Sequence, residues 1–355
     1  MITPSPRSNS RQRGLTLVEL LIALTIGLFV VGAIGALYVN TRNGFSYANE
    51  VARIQEVGRF ALETINRDIR MAGYNGCSRS VATSNIITNG SSNPLLDIAT
   101  PIRGYEGGVH TLPSALSSAG AISGTDVLVL MGGSGSGEMV VKSHDPALAQ
   151  IETLGHSVKS GELLMVTDCS KASMFQASAV AANYIEHNTG GSPGNCSKFL
   201  GVTCPSSGAA ASYVYKPGSS MMRVFSNAYF IADSVANPGT RSLYAMALEG
   251  TNGTSTKREL LNNVEDMQIS YGVDGDGNGT ADSYVTASGV ANWANVISVK
   301  IALLVRSAGA NVSTGSQPYT FMTTAGSTAE STVTPSDRIL RRVFSETAVA
   351  RNRTY

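Results

Sequence analysis

The stretch Arg13-Gly14-Leu15-Thr16-Leu17-Val18-Glu19-Leu20-Leu21-Ile22-Ala23-Leu24, with the apolar run that continues to Val39, decides how the rest of the chain is read. Between Leu15 and Val39 the one charged side chain is Glu19. A helix over those residues is roughly 37 Å long at about 1.5 Å per residue, so it spans a hydrocarbon core of about 30 Å with some tilt. Gly27, Gly32 and Gly35 supply the small side chains through which membrane helices approach one another. Ahead of the run, Arg7, Arg11 and Arg13 stand without any acid and hold that end in the cytoplasm. A secretory signal would place its small-residue cleavage site after the apolar run. Here no Ala-x-Ala site is obvious after Val39, and the small residue, Gly14, comes first.

A carboxylate in an apolar helix is costly at the membrane centre, cheaper near the interface, and calls for a partner. One local partner is available, since Thr16-x-x-Glu19 has the spacing of a capping box. Gly14 followed by Leu15-Thr16-Leu17-Val18-Glu19 resembles the class III signal of type IV prepilins and of type II secretion pseudopilins. That resemblance implies cleavage between Gly14 and Leu15 by a prepilin peptidase, N-methylation of Leu15, and retention of the helix as the core of a filament. It also implies that Glu19, fifth after the cut, pairs with the N-terminal amine of a neighbouring subunit. The family usually has Phe where this chain has Leu15.

From Tyr38 to Met71 there is no proline, and Val51, Ile54, Gly58, Ala61, Leu62, Ile65, Ile69 and Ala72 recur at three- and four-residue steps among charged positions. The spacing predicts an amphipathic helix that continues the apolar one, with a bend expected near Asn43-Gly44 and a stop near Gly73. The run Met71-Ala72-Gly73-Tyr74-Asn75-Gly76-Cys77 resembles the end of this helix in PilW-type minor pilins. So do Asp168-Cys169 with the following Lys171 to Phe175, and the basic C-terminal stretch from Arg338. The expected organisation is a leader over 1–14, a membrane and polymerisation helix over 15–39, its amphipathic continuation over 40–73, and a periplasmic β-rich domain over 74–355. The fold class is α+β: a pilin-like long helix packed on a mainly antiparallel sheet.

Charged residues make up 14% of the 355 residues, and Gly, Ser, Thr, Ala and Asn dominate, which favours strands and turns after the helix. Residues 78–125 read mainly as loop. Strands are expected over 126–131, 138–142, 161–169, 221–225, 227–232 and 242–247. Further strands follow over 267–273 and 296–306, the last as the longest and central one, and a solvated edge strand from 338. Gly132-Gly133-Ser134-Gly135-Ser136-Gly137 lacks the spacing of a phosphate loop and precedes a strand pattern instead of a helix, so a hairpin turn is expected there. Four cysteines in an exported domain allow three disulfide pairings. Proximity favours Cys196–Cys204 and leaves Cys77–Cys169, worth roughly 2.6 and 4.7 kcal/mol on the loop-entropy model. A zinc site is disfavoured by the lack of any C-x-x-C spacing.

Asp274-Gly275-Asp276-Gly277-Asn278-Gly279-Thr280-Ala281-Asp282 places oxygen ligands at alternating positions with a glycine at the sixth. Side chains of Asp274, Asp276, Asn278 and Asp282 and the carbonyl of Thr280 then form most of a calcium loop, and structural Ca²⁺ is the expected cofactor. Val285 stands where an EF-hand has its bidentate Glu, and strand patterns flank the loop, so a dockerin-like loop in a β context is expected. His110, His144, His156 and His187 show no metal-ligand spacing, and no nucleophile elbow occurs, so no enzyme is expected. Net charge is +1, or −2 once the three leader arginines are removed, which gives no case for direct nucleic-acid binding.

The resemblance implies a minor pilin that primes type IV pilus assembly at or near the tip and serves twitching motility. Its partners would be other minor pilins, the major pilin, the prepilin peptidase, the inner-membrane assembly platform and a large tip adhesin. Two alternatives remain at this point: a J-type pseudopilin of a type II secretion system, and a membrane-anchored binding domain that never polymerises.

Overall fold

The computed structural model describes residues 14, 16–77, 81–204, 212–248, 253–323 and 326–353. The leader up to Arg13, and Leu15 as cleavage and methylation residue, lie outside them. Helix α1 runs over Leu17–Met71, 55 residues, without a break at Asn43-Gly44. Its start is fixed by Thr16 in extended conformation, and its end by Gly73, whose φ of +74° closes the last turn. The side chains of residues 17–49 are exposed, whereas Ile54, Ala61, Leu62, Ile65 and Ile69 further along are buried at helical spacing. One helix therefore has two halves with opposite surroundings.

The remaining elements follow in order: β1 Thr83–Asn85, β2 Ile102–Tyr105, α2 Ser114–Ser117, β3 Val127–Gly133, β4 Met139–Asp145, β5 Gln150–Thr153 and β6 Leu163–Thr167. Then come β7 Ala172–Gln176, β8 Ala179–Val180, β9 Tyr184–Glu186, β10 Ser220–Asp233, β11 Arg241–Leu248 and β12 Ser255–Asn262. The chain continues through β13 Val264–Val273, β14 Ser283–Val285, β15 Val296–Arg306, β16 Tyr319–Met322, β17 Glu330–Val333 and β18 Arg341–Val349. Strand β10 is the spine of the large sheet and hydrogen-bonds to β3, β4, β6 and β11. A second sheet has the order β14-β13-β15-β18, all antiparallel, and β16 with β17 forms a separate hairpin. The packed half of α1 lies in one core with Leu128 and Leu130 of β3, Tyr229 and Ile231 of β10, Met267 and Ile269 of β13, and Val299 and Ile301 of β15. The helix thus joins the two sheets, and the class is α+β.

The described part of residues 78–125 is mainly loop, as expected, and carries only the short β1, β2 and α2. Four expectations are corrected. The runs 221–225 and 227–232 are one strand, since Ser226 is buried within the ladder and no turn former separates them. At 14 residues this strand, not the 11-residue β15, is the longest, although β15 does lie between two partners. Strands β3 and β4 make no hairpin: β3 pairs with Val224–Tyr229 of β10 and β4 with Ser220–Met221, while the Ser/Gly segment between them loops out. At the C-terminus, β18 is an edge strand, but Arg341 is not solvated. Its guanidinium pairs with Glu265 at 2.6 Å and Asp337 at 2.7 Å.

Candidate functional site

The start of α1 carries the first constellation. Gly14 is exposed, and a side-chain carbon added there would meet nothing within 4 Å. At the helix start, Thr16 N–H and Thr16 Oγ1 both donate to Glu19 Oε2 at 2.9 Å, and Glu19 N–H donates to Thr16 Oγ1 at 3.3 Å. That closed capping box satisfies two of the otherwise free donors of the first turn. No part of the apolar window that follows is buried within the chain, although its length and hydropathy suit a membrane span. Leu20, Leu24, Leu28, Val31 and Phe29 are each more than half exposed. Such an apolar surface demands lipid or other helices around it.

The packed half of α1 is held by a polar anchor as well as by its apolar face. Asp68, 7% exposed, accepts from Tyr229 Oη and from Asn227 Nδ2, each at 2.6 Å. Burial, with the Asp68 charge beside it, pushes the Tyr229 hydroxyl well above its ordinary pKa, so it stays a donor.

The acidic loop forms the turn between β13 and β14. Carboxylate oxygens of Asp274, Asp276 and Asp282 lie within 4.8 Å of one another. Backbone amides shape the loop: Gly277 and Asn278 donate to Asp274 Oδ1, Gly279 to Asp274 Oδ2 at 2.8 Å, and Gly275 to Asp282 Oδ2 at 2.7 Å. The Gly279 amide above all holds the Asp274 carboxyl below its usual pKa. Asn278 Oδ1 accepts from the Thr280 N–H, so Asn278 and Thr280 brace the turn. Three carboxylates this close repel one another, and an oxygen-only donor set of this kind suits a hard divalent cation such as calcium. The loop sits on a different element from Glu19, and the two sites share no contact.

The four cysteines pair as Cys77–Cys169 and Cys196–Cys204, with Cα separations of 5.6 and 6.3 Å. The first ties the segment after α1 to the β6–β7 turn. The second closes the short 196–204 loop. Sequence spacing does not reveal the pairing of His144 with His187. His144 Nδ1 accepts from the Tyr215 N–H, which places the His144 proton on Nε2, 3.1 Å from His187 Nε2. The two histidines are 43 residues apart and meet only because β4 and the end of β9 flank β5. Also unforeseen is Glu259, whose carboxylate accepts from Ser234, Ser242, Tyr244 and the Val235 and Ala236 amides. Burial works against its charge, but these donors win and lower its pKa to about 2.

With this geometry in hand, comparison with known families gives two matches. The family described as Type IV Pilus-assembly protein W matches residues 228–352, from within β10 through β18 and including the acidic loop. The prokaryotic N-terminal methylation motif, which marks a class III signal sequence, matches residues 9–35. No curated protein and no solved structure matches the chain. The two family matches support a type IV pilus-related, pilin-like protein anchored through its N-terminal helix.

Proposed function

We propose that this chain is a minor pilin that primes type IV pilus assembly and stays at or near the tip. It is held in the bacterial inner membrane with its N-terminus cytoplasmic and its globular domain periplasmic. A prepilin peptidase cuts after Gly14, Leu15 is methylated, and the assembly platform lifts the subunit among the other minor pilins, the major pilin and a tip adhesin. The observation that carries this reading is the divided helix: apolar and uncovered over its first half, packed into the domain core over its second. An element of that kind moves from lipid into a bundle of like helices without refolding the domain. Glu19, now bonded to Thr16, exchanges that cap for the neighbour's terminal amine when the bundle forms. The role is structural and non-catalytic. Glu19→Ala is expected to abolish surface pili, counted by electron microscopy, with the chain still membrane-bound; normal piliation contradicts the reading.

The 274–282 loop, in the same proposal, holds a calcium ion that stiffens the β13–β14 turn. Asp274, Asp276 and Asp282 supply carboxylate oxygens, with Asn278 and the Thr280 carbonyl completing the set. Calorimetry on the detergent-solubilised chain should show calcium uptake that Asp276→Ala removes, and identical traces for the two discard the site.

A further inference from the structure

The turn between β13 and β14 gathers reactive groups around one side-chain amide. Asn278 and Gly279 are both exposed. Asn278 Oδ1 accepts the Thr280 N–H at 2.8 Å, an Asx turn that curls the side chain back over the Asn278–Gly279 peptide. The Gly279 N–H donates to Asp274 Oδ2 at 2.8 Å, so a carboxylate stands where the proton of that nitrogen has to go. Asn278 Nδ2 donates to Asp276 Oδ2 at 2.9 Å, which fixes which end of the amide faces which neighbour. A main-chain nitrogen that follows an asparagine attacks the side-chain carbonyl carbon when its proton is taken and the charge growing on the oxygen is met. Asp274 serves the first need as a base, and the Thr280 N–H serves the second. Glycine at 279 has no side chain to crowd the ring that forms.

The other described Asn-Gly pairs lack this combination. Asn43-Gly44 lies inside α1, where the helix fixes the backbone. Asn75 makes a like turn with the Cys77 N–H but is 4% exposed, closed to the water that the reaction consumes. The Gly90 N–H that follows Asn89 donates to the Ile87 carbonyl, which is no base.

We propose that Asn278 is a self-modifying residue, deamidated by the folded loop that holds it. The Gly279 nitrogen bonds to Asn278 Cγ and gives its proton to Asp274. A proton returns through solvent to Nδ2, the Cγ–Nδ2 bond breaks, and ammonia leaves. Water then opens the cyclic imide at either carbonyl and leaves Asp or isoaspartate at 278. Nothing is oxidised or reduced, and water is the co-reactant. The Asp form sets a new carboxylate beside those of Asp274, Asp276 and Asp282 and raises the loop's demand for a cation. The isoaspartate form inserts a main-chain carbon into the turn and unsettles the β13–β14 pairing. The change is one-way and runs with the age of the subunit, and it requires neither calcium nor entry into a filament.

The test follows the purified full-length chain at neutral pH with EDTA present, in detergent alone and in detergent with guanidinium chloride. Peptide mapping by mass spectrometry measures amide-to-acid conversion at each asparagine. Conversion at Asn278 is expected to be about ten-fold or more faster in the folded chain than in the denatured one, whereas folding slows it at Asn43, Asn75 and Asn89. Asp274→Ala is expected to bring the folded rate at Asn278 down to the denatured value or below. Equal or slower conversion at Asn278 on folding overturns the proposal, and that comparison needs no variant. A folded rate that Asp274→Ala leaves unchanged overturns it as well.

Discussion

Asp68 carries a charge into the packed side of α1, where Tyr229 and Asn227 are its donors. A hydrogen bond to a charged group is worth about 1.5–3 kcal/mol, so Tyr229→Phe should destabilise the domain by that much in chemical denaturation. An unchanged midpoint would mean that the hydroxyl does not anchor the helix. Gly58 makes a second residue-scale case. A methyl group there would overlap the ring of Phe344 on β18, and the ring's inner carbons cannot swing away. Alanine favours a helix over glycine by about 1 kcal/mol, but overpacking costs about 1–3, so Gly58→Ala should be destabilising. The histidine pair sets a pH dependence. Burial lowers both pKa values below the ordinary histidine value, and His144 lowers that of His187 further. The unfolded chain therefore takes up protons first, and stability fully present above about pH 6.5 is lost progressively as pH falls from there towards about 4 for His144 and about 3 for His187. Asp126 acts the other way, since burial pushes it up to about 7: its share is full below about pH 4 and is lost as pH rises towards 7. Comparing His187→Phe with the parent isolates the pair. Its melting temperature should fall less between neutral and mildly acidic pH, and parallel slopes would contradict this.

At the scale of elements, α1 is legible because both of its halves obey a simple rule, one apolar throughout and the other periodic. Gly27, Gly32 and Gly35 have open space around them within the subunit. Gly32→Leu should therefore leave domain stability unchanged while reducing pilus number, because close approach is needed only between helices. If pilus number is unchanged, the glycine face is not part of the filament core. The Cys77–Cys169 bond closes a separation of 92 residues and fastens the exit of α1 to the large sheet. Replacing both cysteines by serine should cost about 4–5 kcal/mol on the loop-entropy model, read by denaturation under non-reducing conditions. Strands such as β13 and β15 show alternation or β-branched runs and are visible in the sequence. The edge strand β12, Ser-Thr-Lys-Arg-Glu-Leu-Leu-Asn, is not, since its first half is exposed on both faces and keeps no period. The pairing of β3 and β4 with one long β10 was equally hidden, because short-range turn chemistry favoured a hairpin and could not weigh a distant partner.

For the whole molecule, what the sequence discloses is what chain neighbours settle: the helix, its Gly14 junction, the Thr16–Glu19 cap and the 274–282 loop. What it conceals depends on residues that folding alone brings together. The His144–His187 contact and the donors around Glu259 join positions far apart in the chain, and no spacing rule marks them. The two family matches respect the same division, one on the anchor and the other on the sheet that packs against its continuation. Both halves of the account meet in the claim that the anchor is trimmed but kept. Intact-mass and N-terminal mass spectrometry of the chain extracted from membranes tests this most directly. The account predicts a polypeptide that begins at Leu15 and carries one methyl group on its terminal nitrogen; one that begins at Met1, or beyond Val39, contradicts it.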